Sequence, residues 1–219
     1  MKKIIIEQYV TLFMMALFLL FFSGCTQTYY SAMEKVGIHK RDIMVDRVED
    51  ARDSQADAQK QFKSALEQFD SVVKLQETDL KKAYDKLNSG YENSLASAKE
   101  VSSSIDKVES VAEDLFDEWK RELKEYQNKE LRDSSKQKLQ MTQKRYKEML
   151  TSMHRAEASM EPVLKIFHDN VLYLKHNLNA QAIGSLQSEF ADLKGQIDVL
   201  IKEMNAAIMS SNAFIADIK

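Results

Sequence analysis

One proline, five glycines and a single cysteine in 219 residues are this chain's scarcest components, and each scarcity closes off a class of structure. Sandwiches and barrels need a turn every ten residues or so, and so few turn formers cannot supply them. A lone thiol closes no intrachain disulfide. No glycine-rich loop opens a helix, so no phosphate cradle is present, and there is no Gly-x-Ser-x-Gly nucleophile elbow. Neither sign of charge dominates. Lysine and arginine number 31 against 34 acids, a net charge of −3 that offers no general affinity for nucleic acid.

The one long apolar run, from Tyr9 to Phe22, is about 14 residues and falls short of the roughly 20 that a spanning helix needs. Lys2 and Lys3 precede it, and Phe22-Ser23-Gly24-Cys25 closes it. That order reads as a lipoprotein signal peptide over residues 1–24, with Cys25 as the lipidated first residue of the mature chain. An uncleaved anchor is the competing reading. Thr26 stands where an Asp would resemble the inner-membrane retention signal of Gram-negative lipoproteins, so the expected address is the outer membrane, facing the periplasm.

What the chain has in abundance is charge, at 30%, and helical periodicity. Ile183, Leu186, Phe190, Leu193, Ile197, Leu200, Met204, Ala207, Ser211, Phe214 and Ile218 are spaced alternately by three and four, which keeps one stripe on one helix face. The same spacing runs from Val48 to Val72, from Ala98 to Trp119 and from Leu139 to Phe167, where it slips by one residue at Val171, Leu174 and Leu178. Four long coiled-coil-like helices are therefore expected, at about 40–76, 79–132, 135–177 and 180–218. With connections this short they should form an elongated antiparallel, all-α bundle over residues 40–219, tethered through residues 25–39.

The expected turns are Gln76-Glu77 with Thr78 or Asp79 as cap, Asp133-Ser134-Ser135, and Asn177-Leu178-Asn179 with Asn179 as cap. Asn88-Ser89-Gly90 reads as a weak point inside the second helix, because Leu87, Tyr91 and Leu95 keep helical spacing across it. Pro162 lies within the third seam, where its missing N–H and its ring predict a kink near 158–160 or, alternatively, a helix restart at Pro162.

Tyr29-Tyr30-Ser31-Ala32-Met33-Glu34-Lys35-Val36-Gly37-Ile38-His39-Lys40-Arg41 resembles the start of the mature part of a family of bacterial lipoproteins known as domain of unknown function 2959. Val48-Glu49-Asp50-Ala51-Arg52, Leu115-Phe116-Asp117-Glu118-Trp119, Met153-His154-Arg155-Ala156-Glu157 and the stretch from Leu172 to Ala180 extend the resemblance over nearly all of the mature chain. It implies a Gram-negative lipoprotein with coiled-coil character and brings no activity with it.

Chemistry is sparse. His168 and His176 are eight residues apart and do not share a helix face, so no zinc pair is written. Met149, Met153 and Met160 stand at seam spacing, where adaptable core packing is the ordinary use of methionine. Carboxylates on solvent-facing helix positions are ordinarily solvated. No catalytic residue, metal ligand or cofactor site is implied, and an enzyme is not expected.

Charge is distributed unevenly. Residues 42–57 hold Asp42, Asp46, Glu49, Asp50, Asp53 and Asp57, whereas residues 120–147 hold ten basic side chains against four acidic ones. An up-down bundle brings both stretches to the lipid-bearing end, where Lys129, Arg132, Lys136 and Lys138 are candidate contacts to a membrane surface. Ion pairs with the first helix are the plainer use of that charge. Gln76, His176, Asn177 and Asn179 would mark the far end as a candidate partner contact. The expected role is a non-enzymatic scaffold, adaptor or spacer acting on an envelope protein. The alternative is a carrier holding a lipid or unfolded client between helices, and self-association is open to either.

Overall fold

The computed structural model describes residues 39–74, 80–177 and 180–219. Two compact units divide the chain, Met1–Asp42 and Ile43–Lys219. Of the first, only residues 39–42 are described, helical from Lys40 onward, and the expected signal peptide and Cys25 lie outside the described residues. Among the described residues the helices are, in order, α1 (Lys40–Lys74), α2 (Leu80–Glu122), α3 (Lys129–Ala158), α4 (Met160–His176) and α5 (Ala180–Ile218). There is no strand among the described residues.

The second unit is held together by the seams that the three-and-four spacing marks. In α1, Val48, Ala51, Ala58, Phe62, Ala65, Phe69 and Val72 are buried, each within the stripe one turn from the next. Val101, Ile105, Val108, Ala112 and Leu115 of α2 face them, as do Met149, Met153 and Ala156 of α3 and Leu193, Ile197, Leu200, Met204 and Ala207 of α5. Burying a side chain of this size contributes about 1.5–3 kcal/mol before ordering entropy is subtracted. The methionine stripe is thus part of the core, and its flexible thioethers fill space between straighter side chains.

Contacts fix the order of the rods. Gln59 of α1 donates to Asn205 of α5 at 2.9 Å and Glu49 pairs with Lys219 at 2.9 Å, so α1 and α5 run antiparallel. Gly90 of α2 sits against Ala65 of α1: a Cβ there would come within 3.5 Å of the alanine methyl and 3.4 Å of the Gln68 amide oxygen. This small residue in a continuous helix is what the supposed weak point at Asn88-Ser89-Gly90 turns out to serve. On its other flank α2 meets α3 through Glu109 and His154 and meets α4 through Tyr91 and His168, whose rings lie 5.5 Å apart. Arg145 of α3 pairs with Asp217 of α5 at 2.6 Å and closes the ring. Sequence neighbours are therefore spatial neighbours, and α4 and α1 meet across the core, where the Phe69 ring lies 6.3 Å from Phe167 and 6.0 Å from Phe190.

α3 and α4 form one rod with a break at Ser159. Pro162 has no N–H to give the carbonyl of Ala158 four residues earlier, so the helical ladder is interrupted there. Ser159 stays in the right-handed region, and its N–H and hydroxyl turn back to Arg155 O at 3.1 Å and Ala156 O at 2.7 Å. The expected kink at 158–160 is thus a helix end and an immediate restart.

Two of the expected boundaries move. The second helix stops at Glu122, not near 132, and the third begins at Lys129, not at 135. Asp133-Ser134-Ser135 is helical and is not the turn. The physical reason is Asn128, whose side chain accepts the Leu131 N–H at 3.1 Å and caps α3 six residues earlier than expected. The first helix is described to Lys74. Gln76, Thr78, Asp79 and Asn179, the residues expected to form or cap the remaining turns, lie outside the described residues.

Candidate functional site

The α2–α3 hairpin is the part of the second unit that the bundle does not cover. From Lys124 to Ser134 every residue is exposed. Equal rise along antiparallel helices, counted from the Gly90–Ala65 contact, sets Ile43 level with about residue 112, so the last ten residues of α2 run some 15 Å past it. α5 likewise meets α3 at Arg145, so the turns of α3 before that residue project past Asp217.

The projection is ordered by its own contacts. Leu123, Lys124 and Glu125 turn back on Trp119, Arg121 and Glu122 through backbone bonds of 2.9–3.0 Å. The indole N–H of Trp119 donates to Ser135 Oγ at 2.9 Å and ties the two arms together. Leu139, one turn further along α3, is the first side chain of that helix to be buried.

All four predicted membrane-contact residues lie on this hairpin and are exposed. Lys129, Arg132 and Lys136 follow three-and-four spacing on one face of α3, and Lys138 shares another face with Leu131. Arg132 has Asp133 beside it at a long 4.0 Å, and Lys120 pairs with Asp117 at 2.9 Å. Two apolar side chains stand out in water at the tip: Leu131, 58% exposed, and Tyr126, 39% exposed. The acidic stretch of α1 has ion pairs within its own helix and with the end of α5. Asp50, Asp53 and Asp57 pair with Arg47, Arg52 and Lys60 of their own helix, and Glu49 reaches Lys219.

A second cluster, which sequence reasoning missed, lies beside the break in the third rod. His154 of α3 stands between two carboxylates, with Nδ1 3.0 Å from Glu157 and Nε2 3.0 Å from Glu109 of α2. The bond with Glu157 raises the imidazole above its ordinary value of 6.5; partial burial works against this, and Glu109 adds to it. Ser102 of α2 also donates to Glu157, so two residues of α2 hold the end of α3. The three-residue spacing of His154 and Glu157 is legible in the sequence, but Glu109, 45 positions away, is not. Next to this cluster an open groove of about 450 Å³ runs between α2 and α4, lined by Tyr91, Ala98, Met160, Leu164 and His168 among others.

Nearer the hairpin, Tyr146 stacks edge-on against Phe116 at 5.4 Å and lies 6.3 Å from Phe214. Burial, then the fields of Glu109 and Glu113, push its phenol up to about 12. At the far end His176 is exposed and closes α4. Asn177 caps it, its N–H returning to Tyr173 and Leu174 and its side chain donating to Tyr173 O at 2.9 Å. Asn177 thus has a structural use at the helix end, and Gln76 and Asn179 lie outside the described residues. No group of three or more His, Cys, Asp or Glu is placed to hold a metal ion among the described residues. No described helix is long and apolar enough to cross a membrane.

A family model described as protein of unknown function (DUF2959) matches residues 29–218. No curated protein and no solved structure matches the chain.

Proposed function

The chain belongs to the DUF2959 family of proteins of unknown function, and from that premise we propose that it is a lipid-anchored, non-enzymatic helical bundle of the cell envelope that acts as a scaffold, adaptor or spacer through protein contacts. Cys25 carries the lipid, and the address is the outer membrane facing the periplasm. The observation that supports the reading is the closed bundle itself. The apolar seams of the second unit are buried against one another inside one chain, and what it offers outward is a mostly polar surface with a projecting hairpin at one end. Such a body holds two things at a fixed spacing: α2 alone is 43 residues, about 65 Å long.

The test is capture of the tagged protein from crosslinked cells, with Cys25→Ser as the mislocalised control. A discrete partner that is recovered with the lipidated form and lost with the control supports an adaptor. Recovery of the same proteins from both forms contradicts it.

The groove beside Ser159 favours a second reading, a carrier for an apolar ligand, because Ala98, Met160 and Leu164 line it with apolar surface. An environment-sensitive apolar dye that binds without loss of helicity, and is displaced by Ala98→Trp, supports the carrier. Absence of binding leaves the scaffold.

A further inference from the structure

We propose that the tip of the α2–α3 hairpin, Lys124 to Lys138, is a membrane-surface docking element: its lysines and Arg132 meet the phosphates of anionic lipids and Leu131 enters the headgroup region. The inference rests on the lipid-anchor reading for its setting and adds the part of the protein that lies on the bilayer.

Four observations carry it. First, every residue from Lys124 to Ser134 is exposed, and the segment projects past Ile43 and Asp217, so a flat surface can reach it before touching the rest of the second unit. Second, the chemistry is that of an interfacial segment. Lys124, Lys129, Arg132, Lys136 and Lys138 outnumber Glu125, Glu130 and Asp133 on the segment that carries Leu131 and Tyr126, and an apolar side chain 58% exposed on a net basic segment gains both burial and charge attraction at an anionic interface, and neither in water. Third, residues 120–147 hold ten basic and four acidic side chains in a chain of net charge −3, so the remainder of the protein is strongly acidic. An anionic surface therefore attracts the hairpin and repels the remainder, the acidic first turns of α1 behind it included, so contact is favoured at the projecting tip. Fourth, α1 enters the bundle at this same end. An extended segment between Cys25 and Lys40 spans at most about 50 Å, so a lipid on Cys25 keeps the tip close to its own membrane.

The contact is also prepaid. The Trp119–Ser135 bond and the Asn128 cap hold the hairpin in one shape, so docking orders no loop. An acidic protein would satisfy the lysines equally well but would not require the exposed leucine and tyrosine at the point of furthest projection.

The experiment uses the full-length protein purified from membranes, with Leu131→Cys labelled by an environment-sensitive fluorophore and Met209→Cys on α5 as the control position. It is reconstituted in phosphatidylcholine vesicles with and without about 30% phosphatidylglycerol. The expected result is a blue shift and rise in emission at position 131 only with the anionic lipid, no change at position 209, and reversal in high salt. Replacing Lys129, Lys136 and Lys138 by Glu in the same labelled chain should abolish the shift, each reversal weakening surface binding at least about five-fold. All three positions are exposed and their helicity can be checked independently, so loss of fold would be seen. An unchanged signal at 131 with phosphatidylglycerol, an equal change at 209, or a shift that survives the lysine reversals would overturn the proposal. The tether is read separately: a lipidated Cys25 leaves one thiol to label per chain, whereas a free Cys25 leaves two. In that case Cys25→Ser with Leu131→Cys still reports on the hairpin.

Discussion

Trp119 and Ser135 face each other across the neck of the α2–α3 hairpin, with the indole N–H donating to the hydroxyl at 2.9 Å. Beyond that bond the two helices project past the other described helices of the second unit, so the hairpin's rigidity there is local. Trp119→Phe keeps a ring and removes the donor. It should cost about 1 kcal/mol of global stability, the worth of one net hydrogen bond, while amide exchange from 120 to 135 accelerates far more than in the core. Uniform acceleration along the chain would show that the neck is not a separate opening unit.

Gln55 occupies a seam position of α1, fully buried, with neither side-chain polar atom hydrogen-bonded. A buried unpaired amide costs about 1–3 kcal/mol. Gln55→Leu is therefore expected to raise the denaturant midpoint without changing its slope. If stability falls instead, the amide fixes the register of the bundle in a way that outweighs its desolvation, as polar seam residues do in some coiled coils.

Phe69 touches Phe167 and Phe190 and so joins three rods at once. Phe69→Ala should cost about 3–5 kcal/mol and the substitution should be felt on α4 and α5 as well as α1. A loss below about 1 kcal/mol in chemical denaturation would mean that the three rings do not form a shared core layer.

His154 gives the bundle a pH dependence whose sign follows from its environment. Its folded value is raised, by Glu157 first and Glu109 with it, so the stabilisation is fully present below the unfolded value near 6.5 and is lost as pH rises through the folded value. Melting temperature should fall as pH rises from about 6.5, and His154→Gln should flatten that fall. The side chain is half exposed, so the effect is small and weakens with salt. Stability that rises with pH across this window in the wild type but not in His154→Gln would reverse the assignment.

The seams were legible because burial repeats with the helix: every residue of the series from Val48 to Val72 is buried, as are the heptad positions of α5 from Leu193 to Ser211. The family was also legible, and the match over residues 29–218 bears out the resemblance seen from Tyr29 onward. Turns were harder. Asp133-Ser134-Ser135 has the composition of a cap, but Ser135 is used by Trp119 inside a helix, and the true cap at Asn128 carries only Glu130 in the following turn as a signal. A polar side chain on a helix reads like one at its end until its partner is known. For the same reason the order of rods and the link from Glu109 to His154 were not readable. A seam shows which face is apolar and not which neighbour it meets.

We propose that lipid on Cys25 holds this bundle to a membrane, with the hairpin end toward the bilayer. The most direct measurement is mass spectrometry of the N-terminal peptide of the protein extracted from envelope membranes. The account predicts a chain that begins at Cys25 with a diacylglyceryl group on sulfur and residues 1–24 removed. A chain that retains Met1 to Gly24 with an unmodified Cys25 would contradict it.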